Sequence, residues 1–391
     1  MLKRIDDGGY EAYLVGGSVR DLLLNHSPKD FDVATSATPT QIKALFRNAR
    51  IIGRRFKLVH ILFHREVIEV ATFRAAEPTD VHHQINERGM VIRDNVYGTL
   101  EEDAWRRDFT INSLYYTIKD GAIIDFTGGF QDIQNRLVRI IGEPTVRYQE
   151  DPVRMLRALR FGAKLNFELE AKTAAPIAEL AVLLTHVASS RLFEEMLKLF
   201  HCGASEVVYQ LLIKHQVFHH LFPQTAAINT PHYPVNAFLV LAFESADVRI
   251  KEDKTVTPAF IFAVLLWFPV LQHMQCYKDE GMDPLPALEK AMSQAILQQN
   301  ARISIPKRHT QVMREIWLLQ FRFEKRTGQR PFHLLAHERF RAAYDFLALR
   351  ALVGDAPMEL AQWWTTFQEV NPATQARMIE KIKKSPSPST K

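Results

Sequence analysis

Cysteine is nearly absent from this chain. Cys202 and Cys276 are the only two in 391 residues, and they stand far apart with no metal-ligand spacing. That excludes a disulfide framework and a zinc ribbon, and it fits a reduced, cytoplasmic protein. No long apolar run opens the sequence, so a secretory leader is not expected. The strongest apolar stretch, residues 259–271, is too short to span a bilayer and reads as a buried helix ended by Pro269. No His-Asp dipeptide occurs, which argues against an appended phosphohydrolase of that signature, and the doublets His82-His83 and His219-His220 read as surface or packing residues. A fixed-period repeat is missing as well. So is a large charge excess: a net +5 with a sequence pI near 9.1 favours an anionic partner only weakly, and charge placement has to decide.

What is present is ordinary globular composition, 47% hydrophobic and 24% charged, over enough length for two or three cores. The fold class expected is α+β. Residues 1–140 carry short runs rich in β-formers, at 11–15, 31–34, 59–63 and 67–73, and a hairpin signal in Asp120-Gly121 between 115–119 and 122–126. Beyond residue 140 the periodicity turns helical, for example over 168–184, 190–202 and 206–215. Linkers are expected at 230–233, beside Pro231 and Pro234, and around Pro284 and Pro286. The expected divisions are a mixed-sheet head at 1–140, helical segments at 141–202 and 203–380, and a disordered basic, Ser/Pro-rich tail at 381–391.

Chemistry concentrates in Leu14-Val15-Gly16-Gly17-Ser18-Val19-Arg20-Asp21 and, just downstream, Lys29-Asp30-Phe31-Asp32-Val33. Gly16-Gly17 reads as a turn whose backbone can approach a phosphate closely. Ser18 is expected near the N-cap of the following helix, and Arg20 offers a bidentate fork. The strand period of two sends Asp30 and Asp32 to one face, roughly 6.5 Å apart along the chain, with Phe31 turned into the core. An Asp-x-Asp alone is better explained by a solvated strand end. Beside a glycine turn, the pair suits two-metal nucleotidyl transfer, with hard carboxylate oxygens for Mg²⁺. A helix expected to begin near Asp151 puts Pro152, Met155, Leu156 and Leu159 on one side and Arg154, Arg157 and Arg160 on the other. The arginines read as a solvated face or as a binding surface. Asp151 and Arg154, three apart, read as an ordinary ion pair or as a donor and acceptor for an adenine edge.

The glycine turn with its acidic pair resembles the nucleotidyltransferase head of the family that contains bacterial CCA-adding enzymes and bacterial poly(A) polymerases. Arg106-Arg107-Asp108-Phe109-Thr110-Ile111-Asn112 resembles that family's Arg-Arg-Asp motif, and Glu150-Asp151-Pro152-Val153-Arg154 its base-selecting motif, with Arg157-Ala158-Leu159-Arg160-Phe161 directly downstream. Several stretches are similar to the bacterial poly(A) polymerases in particular. They are Gly53-Arg54-Arg55-Phe56, Glu87-Arg88-Gly89, Arg93-Asp94-Asn95, Tyr97-Gly98, Glu101-Glu102-Asp103, Arg191-Leu192-Phe193-Glu194-Glu195 and residues 340–350. The resemblance implies template-independent addition of AMP from ATP to RNA 3′ ends, with CCA addition to tRNA as the alternative. It implies Asp30 and Asp32 as metal ligands, Gly16, Gly17, Arg20 and Arg107 around the triphosphate, Asp151 and Arg154 reading the base, and Arg157 and Arg160 supporting the nucleotide. For a third active-site carboxylate it offers Asp108, while strand geometry offers Glu69. It further implies a helical neck at 141–202, a body at 203–380 with an RNA-binding surface, and a role in RNA processing and decay, with RNA-decay or RNA-chaperone proteins as partners. It also implies a longer helical lead than the few residues before Tyr10. Basic segments at Lys307-Arg308-His309, 322–330 and Arg339-Phe340-Arg341, interleaved with Phe321, Phe323 and Phe332, suit a single strand or, equally, amphipathic helices with solvated charges.

Overall fold

A computed structural model describes residues 1–53, 57–63, 66–75, 84–85, 91–93, 96–228 and 233–384. Arg54-Arg55-Phe56, His82-His83, Glu87-Arg88-Gly89, Asp94-Asn95, most of the expected linker at 230–233 and the last seven residues of the tail lie outside the described residues. Two compact units, Met1–Leu184 and Thr185–Lys391, divide the chain.

The first unit is built on a seven-stranded mixed sheet. Its strands are β1 (Ala12–Val15), β2 (Asp32–Thr35), β3 (Ala49–Ile52), β4 (Leu58–Phe63) and β5 (Glu66–Thr72), then β8 (Leu114–Tyr116) and β9 (Ile123–Asp125), in the order β3-β4-β5-β2-β1-β8-β9. A separate ribbon pairs β6 (Gln84–Ile85) with β7 (Val91–Arg93), and β10 (Leu137–Val138) pairs with β11 (Glu168–Leu169). β1 runs antiparallel to β2, with Val15 opposite Asp32, and to β8, with Val15 opposite Tyr115. β2 runs parallel to β5, with Asp32 opposite Glu69.

Both faces of the sheet are covered, so its inner strands are apolar on both sides. On β2, Val33 joins a cluster with Ile5, Ile42, Val59, Ile61 and Val70, and its neighbour Ala34 joins another with Val15, Phe73, Ala104 and Tyr115. The helices of this unit are α1 (Leu2–Asp7), α2 (Gly17–Leu23), α3 (Pro39–Leu45), α4 (Leu100–Arg106), α5 (Gly129–Gln134), α6 (Pro144–Glu150), α7 (Val153–Leu165), α8 (Ala171–Ala174) and α9 (Ile177–Leu180). Thr38 with Gln41, and Thr99 with Glu102, close capping boxes that fix the starts of α3 and α4.

The second unit is helical throughout its described residues: α10 (Ser189–Phe200), α11 (Ser205–Lys214), α12 (Phe218–Leu221), α13 (Pro223–Ala226), α14 (Val235–Lys251), α15 (Pro258–Asp279), α16 (Pro284–Asn300), α17 (Lys307–Phe323), α18 (Arg330–Leu335), α19 (Phe340–Leu352), α20 (Met358–Glu369) and α21 (Pro372–Lys384). The expected α+β class holds: a mixed sheet in the first unit, helices in the second.

Several local expectations need correction. Pro269 does not end a helix, because α15 runs through it to Asp279. Among the described residues α15 is the one helix long and apolar enough to cross a membrane, against the expectation of a shorter run, and its apolar window is 67% buried in this unit. Pro284 is not a linker residue but the first residue of α16, where its missing N–H costs no helical bond. The helix expected at 168–184 is broken into β11, α8, α9 and a 3₁₀ turn, with Pro176 at the break. Lys381 and the next three residues close α21 rather than opening a tail. Phe31 precedes β2 instead of lying within it, escapes the strand's alternation and is 42% exposed.

Candidate active site

Sheet register brings the glycine turn and the acidic strand together. β1 delivers the chain to Gly16 directly beside Asp32, because Val15 and Asp32 are partners. Gly16 has φ +74°, a conformation that costs an L side chain and suits glycine. A Cβ there would meet Nη1 of Arg107 at 3.6 Å, an ordinary contact, so the backbone conformation rather than crowding calls for glycine. Gly16, not Ser18, is the N-cap of α2, and the buried Ser18 hydroxyl donates to the carbonyl of Val15 at 3.2 Å. Ser18 thus clamps the turn to the strand end.

Asp32 opens β2 on the face it shares with Ala34, and Glu69 faces it across the parallel pair. Asp30 lies two residues earlier, in the exposed extended segment before the strand. Desolvation raises the Asp32 pKa, Glu69 and Asp30 raise it further, and the positive charge of Arg107 opposes them. Such crowding of carboxylates is relieved by a cation. Glu69 Oε1 also lies 3.1 Å from Nε2 of His60. Among the described residues no three acidic, histidine or cysteine side chains are gathered so that they could hold a metal ion. A small open acidic set fits Mg²⁺, which is held by one or two carboxylates together with phosphate oxygens and water.

Arg107 follows α4 and is braced from behind. Its Nε donates to the Tyr115 hydroxyl at 2.8 Å and its Nη2 to Asp103 at 3.0 Å, while Tyr115 itself donates to Asp103 at 2.7 Å. Burial works against its charge, but Asp103 and Tyr115 outweigh that and raise its pKa. Asp108, ranked first by sequence as the third carboxylate, is committed elsewhere. One oxygen accepts from the Phe109 N–H at 2.8 Å and from Asn112 at 3.2 Å, and the other accepts from Arg157 Nε at 2.6 Å. Burial pushes its carboxyl up, yet Arg157 and these hydrogen bonds hold it below the usual range.

Asn112 joins this pair to the glycine-turn helix, because its Oδ1 accepts from Arg20. Arg20 is 3% exposed and also grips Asp21, with Nε at 2.9 Å and Nη2 at 2.6 Å from one oxygen. Rather than presenting an open fork, Arg20 is the second member of a chain running Asp21, Arg20, Asn112, Asp108, Arg157 between α2 and α7.

The helix expected to begin near Asp151 is present as α7, which starts at Val153. Asp151 sits at the break between α6 and α7, its carboxylate accepting from the Val153 N–H at 3.3 Å. Arg154 pairs with Glu150 at 2.7 Å and donates to the Arg147 carbonyl at 2.8 Å. Its closest carboxylate partner is therefore one residue away from the expected Asp151. The apolar side of α7 is as expected, with Met155, Leu156 and Leu159 fully buried. Arg147 also binds Glu150 at 2.7 Å and reaches the carbonyls of Arg106 and Arg107. Desolvation first, then Arg74, Arg147 and Arg154, depress the Arg106 pKa to about 10.

Sequence reasoning did not single out Asn112, Glu150, Asp103, Tyr115 or Arg147. Asn112 and Glu150 stood at the ends of motifs already quoted, whereas the distant brace by Tyr115 leaves no local pattern. In the second unit, Phe323 is fully buried against Phe340 and Trp364, so it offers no stacking face.

Residues 12–139 match the family described as "Poly A polymerase head domain", 166–229 "Probable RNA and SrmB- binding site of polymerase A", and 280–391 "Polymerase A arginine-rich C-terminus". The chain is 45% identical to the poly(A) polymerase I of Salmonella typhimurium, covering 99% of this chain and 85% of that protein. A CCA-adding enzyme from Lactobacillus gasseri is 40% identical over 54% of this chain and 52% of its own length. The solved structure of the Bacillus stearothermophilus CCA-adding enzyme with CTP superposes with a TM-score of 0.62 at 26% identity, covering 99% of this chain and 87% of that one. With the match spread over head and helical segments alike, the chain belongs to the bacterial poly(A) polymerase family of nucleotidyltransferases.

Proposed function

We propose that this protein is a template-independent polynucleotide adenylyltransferase, transferring AMP from ATP to RNA 3′ ends with release of pyrophosphate. The observation that carries this reading is the register that sets Gly16 and Gly17 beside Asp32, with Glu69 opposite. Asp30 and Asp32 would hold Mg²⁺, and Glu69 takes the place of third carboxylate because Asp108 is spent on Arg157 and Asn112. Bound there, the ion would lower the pKa of the RNA 3′ hydroxyl and offset charge building on the triphosphate. The chain's own part is positional. The glycine backbone admits the triphosphate, and Arg107, held charged by its brace, faces the same turn. Asp151 and Arg154 meet the base at the α6–α7 break, and Arg157 and Arg160 support the nucleotide. The basic segments of the second unit would engage RNA, a reaction setting that belongs to the cytoplasm.

The test is incubation of purified protein with a generic oligoribonucleotide, Mg²⁺ and each nucleotide separately. A long ladder with ATP alone is expected, and Asp30→Ala and Asp32→Ala should each cut AMP incorporation by at least roughly a thousandfold. Near-normal incorporation by either variant would end the reading. The similarity to CCA-adding enzymes supports a second reading, tRNA-restricted addition of C and A that stops after a triplet.

A further inference from the structure

Val15, the last residue of β1 before the glycine turn, has Tyr115 of β8 as its partner, so one sheet register sets both the turn and a fully buried phenol. That phenol meets Arg107 twice. Its hydroxyl accepts from Nε at 2.8 Å, and its ring centroid lies 5.1 Å from Cζ. Asp103 closes a triangle: Oδ2 accepts from Arg107 Nε at 3.2 Å, from Nη2 at 3.0 Å and from the Tyr115 hydroxyl at 2.7 Å, while Oδ1 takes the Arg74 N–H at 3.2 Å. Burial pushes the phenol pKa up against the lowering pull of Arg107, so the hydroxyl keeps the proton it gives to Asp103. These hydrogen bonds use only Nε and Nη2 of the guanidinium. Among the described residues Nη1 makes no hydrogen bond, and it lies beside Gly16, 3.6 Å from where a Cβ would stand. A guanidinium held by one carboxylate oxygen can pivot about it; a second acceptor, fixed on the sheet, stops the pivot.

We infer that Tyr115, seated on Asp103, is a positioning residue that keeps Nη1 of Arg107 aimed at the glycine turn, where it donates to a phosphate of ATP. This rests on the nucleotidyltransferase reading above. Phenylalanine at this position keeps the burial, the ring contact with Arg107 and the edge contact with Tyr13 at 6.2 Å, and removes only the hydroxyl. A contact made alike to bound ATP and to the transition state alters KM rather than kcat.

The experiment compares wild type, Tyr115→Phe, Arg107→Gln and the double variant by calorimetric titration with Mg·ATP, by steady-state AMP incorporation into an oligoribonucleotide, and by thermal melting. Tyr115→Phe should raise Kd and KM for ATP roughly fivefold, the scale of one hydrogen bond, with kcat within about twofold. Arg107→Gln should raise them at least as much, and on that background Tyr115→Phe should add nothing further. ATP affinity unchanged by either single variant, or an equal loss from Tyr115→Phe with and without Arg107, would overturn the inference. If Tyr115→Phe melts below the assay temperature, Asp103→Asn, which weakens the seat of the hydroxyl, takes its place under the same criteria. A wild type that binds Mg·ATP but adds no AMP would overturn the function reading while leaving the titration to decide the role of Tyr115. A wild type that binds no ATP would overturn both.

Discussion

Asp108 accepts hydrogen bonds on both carboxylate oxygens, and its tie to Arg157 spans 49 residues of sequence. No periodicity could have foretold it, whereas Gly16, Gly17 and Asp32 were legible because turn chemistry and strand alternation are local. Phe31 was misread for an equally physical reason: alternation governs only residues inside a strand, and β2 begins one residue later. Arg20 was expected to offer a fork to a phosphate, whereas its partner Asn112, 92 residues away, left no local signal. The Asp108–Arg157 pair carries a pH prediction. The folded pKa of Asp108 is depressed from an ordinary 3.8, so its stabilisation is fully present above that value and is lost as pH falls through the lower folded value. Asp108→Asn should therefore cost about 1–3 kcal/mol at neutral pH, the pair being partly open to solvent. The difference should vanish in strong acid. Urea unfolding of both proteins from pH 7 to pH 2 checks this, and a gap that persists unchanged at the acid end would contradict it.

At the scale of elements, most of the head's strands and the apolar stripe of α7 were readable, while helix ends near proline were not. The start of α7 near Asp151 was read correctly, but α6 ends at Glu150, directly before Asp151, and Arg154 pairs with Glu150. Pro269 sits inside α15, which packs against α14, α16 and α17. A tight element contact also shapes the site. α5 starts at Gly129, where a Cβ would collide with the backbone carbonyl of Thr110, the residue that opens the 3₁₀ turn carrying Asn112. Gly129→Ala should push that turn away, destabilising the protein by about 1–3 kcal/mol as overpacking does. It should also lower AMP incorporation, since Asn112 bridges Arg20 and Asp108. Thermal melting and a primer-extension assay read the two effects separately.

At the scale of the molecule, each unit carries its own core, and loss in one can be read apart from the chemistry of the other. Trp364 is fully buried in a cluster with Phe323, Phe340, Leu347 and Phe367, and its indole N–H donates to the Phe323 carbonyl at 3.0 Å. Trp364→Ala should cost about 3–5 kcal/mol in that core. Differential scanning calorimetry should show part of the heat absorption moving to lower temperature, while Mg·ATP affinity at low temperature stays at the wild-type value. The first unit's sheet has a temporal consequence. β1, which ends at the glycine turn, pairs with β8 through Val15 and Tyr115, about a hundred residues apart in the chain. Pairings of such long separation close slowly. A ribosome that has released only the first β-strands thus displays the glycine turn and the acidic segment without β8 beside them, and this edge of β1 must await emergence of the segment through Tyr116.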